Sequence, residues 1–243
     1  MNIKEMHYDF KMKLNKIDSN QYRNLLVPEI DWMLNEAQEL FVKMIAEPRG
    51  KSITGFETSQ RSTEDIRSIV MQDVELVPVT DNNYDKTVYL PADYWYYLAC
   101  KSVISKPGCG NKIIETKIRQ HDDDFQNSPF DETSYDWETV NAVFYSAGMK
   151  FSLLDKGTRL TLTNIYLTYV KKPRRMHNAE DFRSGGYRLP GEMTTLTGTL
   201  DCELPAHTHR EIVDIAALIA TGNIQAADYQ VKMAKLQLND IKG

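Results

Sequence analysis

The chain has 243 residues, of which 42% are hydrophobic and 26% are charged, and its formal net charge is −5. This composition is typical of a folded globular protein, and the acidic balance disfavours a protein whose main task is to hold the nucleic-acid backbone. No apolar run approaches the length of a membrane-spanning helix, and the charged N-terminus lacks the apolar core of a signal peptide. We therefore expect a cytosolic protein that makes no membrane contact.

Two amphipathic helices are predicted at the start of the chain, over residues 3–17 and 28–46, and a shorter one over 63–71. In the second helix, apolar residues recur at alternating three- and four-residue intervals, which places them on one face. These residues are Ile30, Met33, Ala37, Leu40 and Met44, with Leu34, Phe41 and Ile45 beside them. We expect this face to be buried. The polar residues are expected mostly on the solvent side: Asp31, Asn35, Gln38, Glu39 and Lys43.

The pattern changes from helical to extended at Asp73. Strands are predicted over 74–79, 87–90, 113–119, 139–146, 150–154 and 158–171, whereas 91–105 fits either a helix or a buried strand. Ala147 and Gly148 predict a hairpin, and a one-residue slip of the apolar phase at Asn164 predicts a β-bulge. Residues 173–199 have spaced Pro, Gly and Ser and few apolar pairs, which indicates a long surface excursion.

Helices return at the C-terminus, where a T-x-x-E capping box at 208–211 opens an amphipathic helix and Gly222-Asn223 predicts a break. A thinner apolar stripe then follows at Ile224, Ala227, Val231, Ala234 and Leu238. The whole pattern predicts an α+β fold, in which N- and C-terminal helices pack together as a helical bundle and a central antiparallel β insertion lies between them. The predicted domains are a discontinuous helical domain, 1–72 with 204–243, and a β-rich insertion, 73–203.

The most metal-like cluster in the sequence consists of Cys202, His207 and His209. Structural zinc takes four ligands, and only three are close together here. His209 also lies inside the capping box, which predicts that it faces solvent or a partner. The three cysteines, Cys100, Cys109 and Cys202, show no C-x-x-C spacing and are odd in number, so we expect reduced thiols. We also expect no metal and no cofactor.

An acidic loop is predicted over 121–136, and its charged residues include His121, Asp122, Asp123, Asp124, Asp131 and Glu132. Calcium loops need spaced carboxylates and a turn glycine, which this loop lacks, so a solvated acidic loop is favoured. The chain contains no G-x-S-x-G, P-loop, G-x-G-x-x-G or H-E-x-x-H motif. We therefore expect a protein that is not an enzyme.

A basic stretch ends the last predicted strand and comprises Lys171, Lys172, Arg174 and Arg175. Such a cluster could contact phosphate groups, but a short basic run at a strand end is more often solvated or a contact between subunits. Both alternatives remain open for this stretch.

Several motifs at the ends and in the centre of the chain resemble one protein family. They are P-E-I at 28–30 leading to A-Q-E at 37–39 and V-K at 42–43, G-F-E-T-S-Q-R at 55–61 with D-I at 65–66, L-P-x-H-x-H-R-E-I-V at 204–213, L-P-x-D-Y at 90–94 and T-Y-V-K-K-P at 168–173. Together they are similar to the head-to-tail connector (ring or adaptor) proteins of short-tailed bacteriophages, especially those of crAss-like phages.

The resemblance implies a virion structural protein, assembled in the host bacterial cytoplasm, that forms a ring below the portal through which genomic DNA passes. Its partners would be further copies of itself, typically twelve, the portal protein and neighbouring tail or ring proteins, with no specific binding to DNA. Two other functions are kept open. One is a nucleic-acid-binding module that uses the 171–175 stretch, and the other is a tail-associated hydrolase that uses an acidic pair in the 121–136 loop.

Two sets of interface residues are predicted for such a ring. The weakly amphipathic terminal segment suits docking on a neighbouring subunit through Ile224, Ala227, Val231, Ala234 and Leu238. Because the charge of −5 is repeated in every subunit, an acidic channel that repels passing duplex is expected. The residues that we expect to face this lumen are Asp122, Asp123 and Asp124, while the 171–175 stretch is expected to face a protein neighbour.

Overall fold

The computed structural model describes residues 1–15, 25–46, 63–80, 85–119, 133–145, 148–189 and 194–223. The chain separates into two compact units. One unit combines Met1–Ile69 with Pro173–Gly243, and the other is the continuous stretch Val70–Lys172. The sequence assigned 173–203 to the β-rich insertion, but this segment clusters with the terminal helices.

The continuous unit is built from strands. They are β1 (Val70–Leu76), β2 (Val79–Thr80), β3 (Asp85–Tyr89), β4 (Tyr94–Ser105), β5 (Asn111–Arg119), β6 (Val140–Tyr145), β7 (Gly148–Ser152), β8 (Leu154–Asp155), β9 (Thr158–Arg159) and β10 (Thr161–Lys171). Eight of them form one sheet in the order β1-β10-β4-β5-β6-β7-β3-β2, and β8 pairs with β9 as a separate ribbon. Neighbouring strands in the sheet are antiparallel except β5 and β6, which are parallel.

The predicted fold class is therefore wrong. A large, curled mixed sheet dominates the protein, rather than a helical bundle with a smaller antiparallel insertion. Two features of the sequence account for the difference. The connection from β5 to β6, residues 120–139, is long enough for the crossover that parallel strands need, so this pair does not have to be antiparallel. The ambiguous stretch 91–105 contains the twelve-residue central strand β4.

The pairing of β4 with β10 decides the conformation of this ambiguous stretch. The two strands pair along nearly their whole lengths, and Cys100, Ser102 and Ile104 alternate into the interior. The ladder skips one β10 residue between Leu162 and Asn164, so the predicted bulge near Asn164 is confirmed. The β6–β7 hairpin is confirmed as well, because Tyr145 pairs with Gly148.

The core of this unit lies on the inner face of the sheet. Its buried residues include Val88, Ile104, Ile114, Phe151, Leu162, Ile165 and Leu167. Aromatic rings of β4 and β6 pack against this core. The Phe144 ring contacts Tyr94 and Tyr97 at centroid distances of 6.3 and 5.6 Å. Burial raises the pKa of Tyr97 to about 12, as expected for a ring held mainly among apolar groups.

Three helices described in the other unit are α1 (Ile3–Asn15), α2 (Val27–Ala46) and α3 (His209–Asn223). Residues 63–66 are also helical and continue as a 3-10 turn, Arg67–Ile69, so the predicted third helix ends where β1 begins. The predicted inner face of α1 is confirmed, since Ile3, Met6, Phe10 and Leu14 are all buried. In its turn α3 packs against both α1 and α2, and it runs through Gly222 to Asn223.

The predicted inner face of α2 is wrong in its orientation. Ile30 and Ala37 are buried as expected, but Leu40 and Met44 are 37% and 44% exposed. The buried side includes Leu34 and Phe41 and extends to Asp31 and Gln38. At 3.6 residues per turn, this side lies about a quarter turn from the predicted stripe. The side chains that α2 meets, and not its own apolar spacing, determine which face is inside.

The segment after β10 is not the surface excursion that its composition indicated. It forms β11 (His177–Asn178), a 3-10 turn (Ala179–Asp181), β12 (Gly186–Tyr187), β13 (Leu196–Thr197) and β14 (Thr199–Leu200). Strand β11 pairs with β14, and β12 pairs with β13. Ala179, Tyr187 and Leu189 are buried, and Val27 at the start of α2 packs against them. This segment completes the core of the helical unit.

Candidate functional site

A row of polar side chains on α2 holds the backbone of the segment that returns from β10. We call Asp31, Asn35 and Gln38 the polar seam. The carboxylate of Asp31 accepts the N–H of Asn178, Asn35 exchanges hydrogen bonds of 2.8 and 2.9 Å with the backbone of Met176, and Gln38 donates to the carbonyl of Arg174. Four residues of a helix and two residues of an extended chain each cover a length of about 6 to 7 Å. The side chains at 31, 35 and 38 therefore recur at about the same distance as the backbone groups at 178, 176 and 174 that they bind.

Asp31 is the centre of this seam and is completely buried. Besides the Asn178 N–H at 3.0 Å, its carboxylate accepts hydrogen bonds from His7 Nε2 at 2.6 Å and from the hydroxyl of Tyr187. Asp31 therefore joins α1, α2, β11 and β12, which come from the two separate stretches of sequence that form this unit. A buried carboxylate with three donors stabilises one arrangement of these elements, because any other would leave its charge unpaired.

The apolar pattern of α2 predicted that the polar seam lies on the solvent side, and that prediction is wrong. The three positions repeat at intervals of four and three, which is the same helical period as the apolar stripe. Two faces of α2 therefore had the spacing of an inner face, one polar and one apolar. A short polar side chain such as Asp31, set in a long apolar helix at this spacing, is the signal that could have identified the seam.

The part of the predicted inner face of α2 that the unit leaves uncovered is a candidate interface, whereas Ile30 and Ala37 of the same face are buried. We call Met33, Leu40 and Met44 the outer strip of α2. Met33 is half-buried, whereas Leu40 and Met44 are exposed. Large apolar side chains at helical spacing on an exposed face mark interaction sites when they form a continuous patch. Trp32, which is 49% exposed, lies on the other side of the same exposed arc.

The residues of the metal-like cluster point to separate partners. His207 Nε2 contacts Asp65 Oδ1 at 2.7 Å, and the Cys202 thiol contacts Gln38. His209 is buried, with one ring nitrogen 2.8 Å from the Met1 carbonyl and the other 2.8 Å from that of Leu204. The prediction that His209 faces solvent or a partner is therefore wrong. Within the described ranges, no group of three or more potential ligands is placed to hold a metal ion.

Thiol reactivity distinguishes the three cysteines. Burial raises the pKa of Cys100 and of Cys202 from 9.0 to about 11, whereas Cys109 is exposed. Because a rise of two units lowers the thiolate fraction about 100-fold and burial also restricts access of the reagent, we expect a maleimide at pH 8 to modify Cys109 before Cys100 and Cys202. Peptide mass spectrometry measures each rate, and Cys109→Ser should remove the fast phase. Equal rates at all three thiols would contradict this expectation.

The basic stretch is divided between the two units, with Lys171 and Lys172 in one and Arg174 in the other. The backbone N–H of Arg174 donates to Glu203 at 3.1 Å, and its guanidinium Nε lies 3.5 Å from the same carboxylate. This ion pair offsets part of the positive charge that could otherwise contact phosphate groups. None of the helices that the structure describes has the length and apolar character needed to cross a bilayer.

Other predicted site residues lie outside the described part of the chain. These are His121, Asp122, Asp123, Asp124, Asp131, Glu132, Ile224, Ala227, Val231, Ala234 and Leu238. Beside α1, an open groove of about 700 Å³ is lined mainly by charged residues. Its Lys4 and Lys13 form ion pairs with Glu180 and Asp214, so these cations tie α1 to the rest of its unit.

In comparisons with known proteins, no family model matches the chain, and no curated protein matches it either.

Proposed function

We propose that this protein is a virion structural subunit that forms a ring in the head-to-tail connector of a short-tailed phage, below the portal. The observation that carries the proposal is the outer strip of α2, with Leu40 and Met44 exposed on the helix that also bears the P-E-I and A-Q-E motifs of the resemblance. An apolar strip on a helix held rigidly by the polar seam suits a permanent contact between subunits.

Two further observations support a structural role. Asp31 joins the two separate stretches of sequence that form its unit through buried hydrogen bonds, which suits a subunit that must keep one shape within an assembly. The net charge of −5, repeated around a ring, would give an acidic assembly that duplex DNA can pass without being held. The Asp122–Asp124 stretch remains our proposed contributor to such a lumen.

Negative-stain electron microscopy and light scattering of the purified full-length chain test this function. We expect closed rings, and we expect no measurable binding of a fluorescent DNA duplex at either 50 or 200 mM salt. A chain that stays monomeric and whose duplex affinity falls steeply with salt would overturn the proposal and favour a nucleic-acid-binding module, since each neutralised phosphate releases counterions.

A further inference from the structure

The turn that precedes β6 presents a tryptophan to solvent. Trp137 is 78% exposed, the highest value among the large apolar side chains that the structure describes. Contact of so large a ring with water is unfavourable, whereas a tryptophan that enters the surface of a partner contributes more to binding than most residues do. We call Asp136, Trp137 and Glu138 the tryptophan knob.

The contacts of its own unit hold the tryptophan knob in one conformation. Ser134 and Thr139 close the turn with two backbone hydrogen bonds of 2.8 and 3.0 Å. Tyr135 fixes the turn to the β4–β5 hairpin, because its hydroxyl donates to the Gly110 carbonyl at 2.8 Å. Glu138 has a φ of 52°, which is uncommon for a residue other than glycine, so the surrounding contacts keep the backbone in this conformation. A side chain that is ordered in advance loses little entropy when a partner binds it.

Two lysines of the sheet pair with the acidic residues of the knob without covering them. Asp136 lies 3.6 Å from the Lys106 ammonium, and Glu138 lies 2.6 Å from that of Lys112. Both acidic side chains remain 61% exposed, and a carboxylate can accept several hydrogen bonds at once. The knob therefore presents an apolar centre between two acidic groups, which suits an apolar surface with a positive charge at its rim.

The outer strip of α2 is a surface of this kind. Leu40 and Met44 are exposed, and the exposed Lys43 lies beside them on the same arc of the helix. The thioether of Met44 is flexible and polarisable, and such groups pack favourably against aromatic rings. Glu36 is exposed one turn before Leu40 and would repel the acidic groups of the knob, so the C-terminal half of the strip is the better match.

We propose that the tryptophan knob of one copy docks on Leu40, Lys43 and Met44 of a neighbouring copy. This inference rests on the proposed function, because it names the contact between neighbours in the ring. The knob lies in the unit Val70–Lys172 and the strip lies in the other unit, so each copy offers two different surfaces. Repetition of a contact between two different surfaces closes into a ring or continues as a filament, whereas a strip that met its own copy would stop at a dimer.

Two full-length variants that each keep one of the two surfaces test this contact. Trp137→Ala keeps the strip and Leu40→Asp keeps the knob, so we expect each variant alone to be monomeric and their equimolar mixture to form dimers that cannot grow. Loss of a central aromatic residue weakens an interface by at least about 30-fold. Val77→Ala is the matched control, because it removes another exposed apolar side chain from the same unit, and it should assemble as the unmodified chain does. Analytical ultracentrifugation over a range of concentrations measures the association.

Tryptophan fluorescence reports on the knob directly. The chain has three tryptophans, so Trp32→Phe and Trp95→Phe in both variants leave Trp137 of the Leu40→Asp chain as the sole tryptophan of the mixture. We expect its emission to shift to the blue when the Trp137→Ala chain is added, because the ring leaves water. Addition of more Leu40→Asp chain is the control and should cause no shift, since this chain has no intact strip.

The outcomes separate this inference from the proposed function. Mixed dimers with a blue-shifted Trp137 emission support docking of the knob on the strip. Closed rings formed by Trp137→Ala, or a mixture that associates no more than either variant alone, would overturn the inference and leave the proposed function standing. Mixed dimers with an unshifted emission would also overturn it, because Trp137 would then lie outside the contact. Absence of rings from the unmodified chain would overturn the proposed function itself.

Discussion

Replacing Asp31 with alanine is expected to lower the free energy of unfolding of the helical unit by about 3–5 kcal/mol, the usual cost of removing one partner from a buried charged network. Three donors would lose their acceptor at once: His7 Nε2, the Asn178 N–H and the Tyr187 hydroxyl. His7, Asn178 and Tyr187 are themselves buried, so their donors would not reach bulk water after the substitution. The loss is a large fraction of a domain's total stability of about 5–15 kcal/mol.

Glu36→Ala is the matched control, because it removes an exposed carboxylate from the same helix. We expect its effect to stay within about 0.5 kcal/mol. Trp32 reports on the helical unit, and a background with Trp95→Phe and Trp137→Phe leaves it as the sole tryptophan in urea titrations. Similar midpoints for Asp31→Ala and Glu36→Ala would show that Asp31 contributes little.

Phe41→Asp is expected to prevent folding of the helical unit, whereas Leu40→Asp should leave it folded. Phe41 is 5% exposed and Leu40 is 37% exposed, although they are adjacent on α2. Removing a buried phenylalanine costs about 3–5 kcal/mol, and an unpaired buried carboxylate adds several more, which exceeds the stability of many domains. Leu40→Asp should cost about 1 kcal/mol or less in stability, but it places a charge in the outer strip and should abolish ring formation.

Circular dichroism melting and light scattering of the two variants separate folding from assembly. The expected result is an unfolded or insoluble Phe41→Asp protein and a cooperatively melting Leu40→Asp protein that no longer assembles. If Leu40→Asp failed to melt cooperatively, the outer strip would belong to the core of the unit. If it formed rings as the unmodified chain does, the strip would not be an interface.

Local patterns predicted the elements whose signals are contained within a few residues. The helices at both ends, the β6–β7 hairpin and the bulge at Asn164 follow from apolar period, turn residues and a slip of phase. Each of these features depends on interactions between near neighbours in the chain, such as side-chain spacing on one helix or the conformational preference of a turn. The sequence therefore determined them with little reference to the rest of the protein.

Only the tertiary structure decided the conformation of β4, the role of the segment after β10 and the inner face of α2. The ambiguous 91–105 stretch becomes a strand because β10, more than fifty residues away in sequence, pairs along it. Asp31, Asn35 and Gln38 turn inward because the backbone of 174–178 supplies their hydrogen-bond partners. The sequence of a helix shows which of its faces are polar and which are apolar. Which of two such faces is buried depends on the groups that pack against the helix, and these groups come from distant parts of the chain.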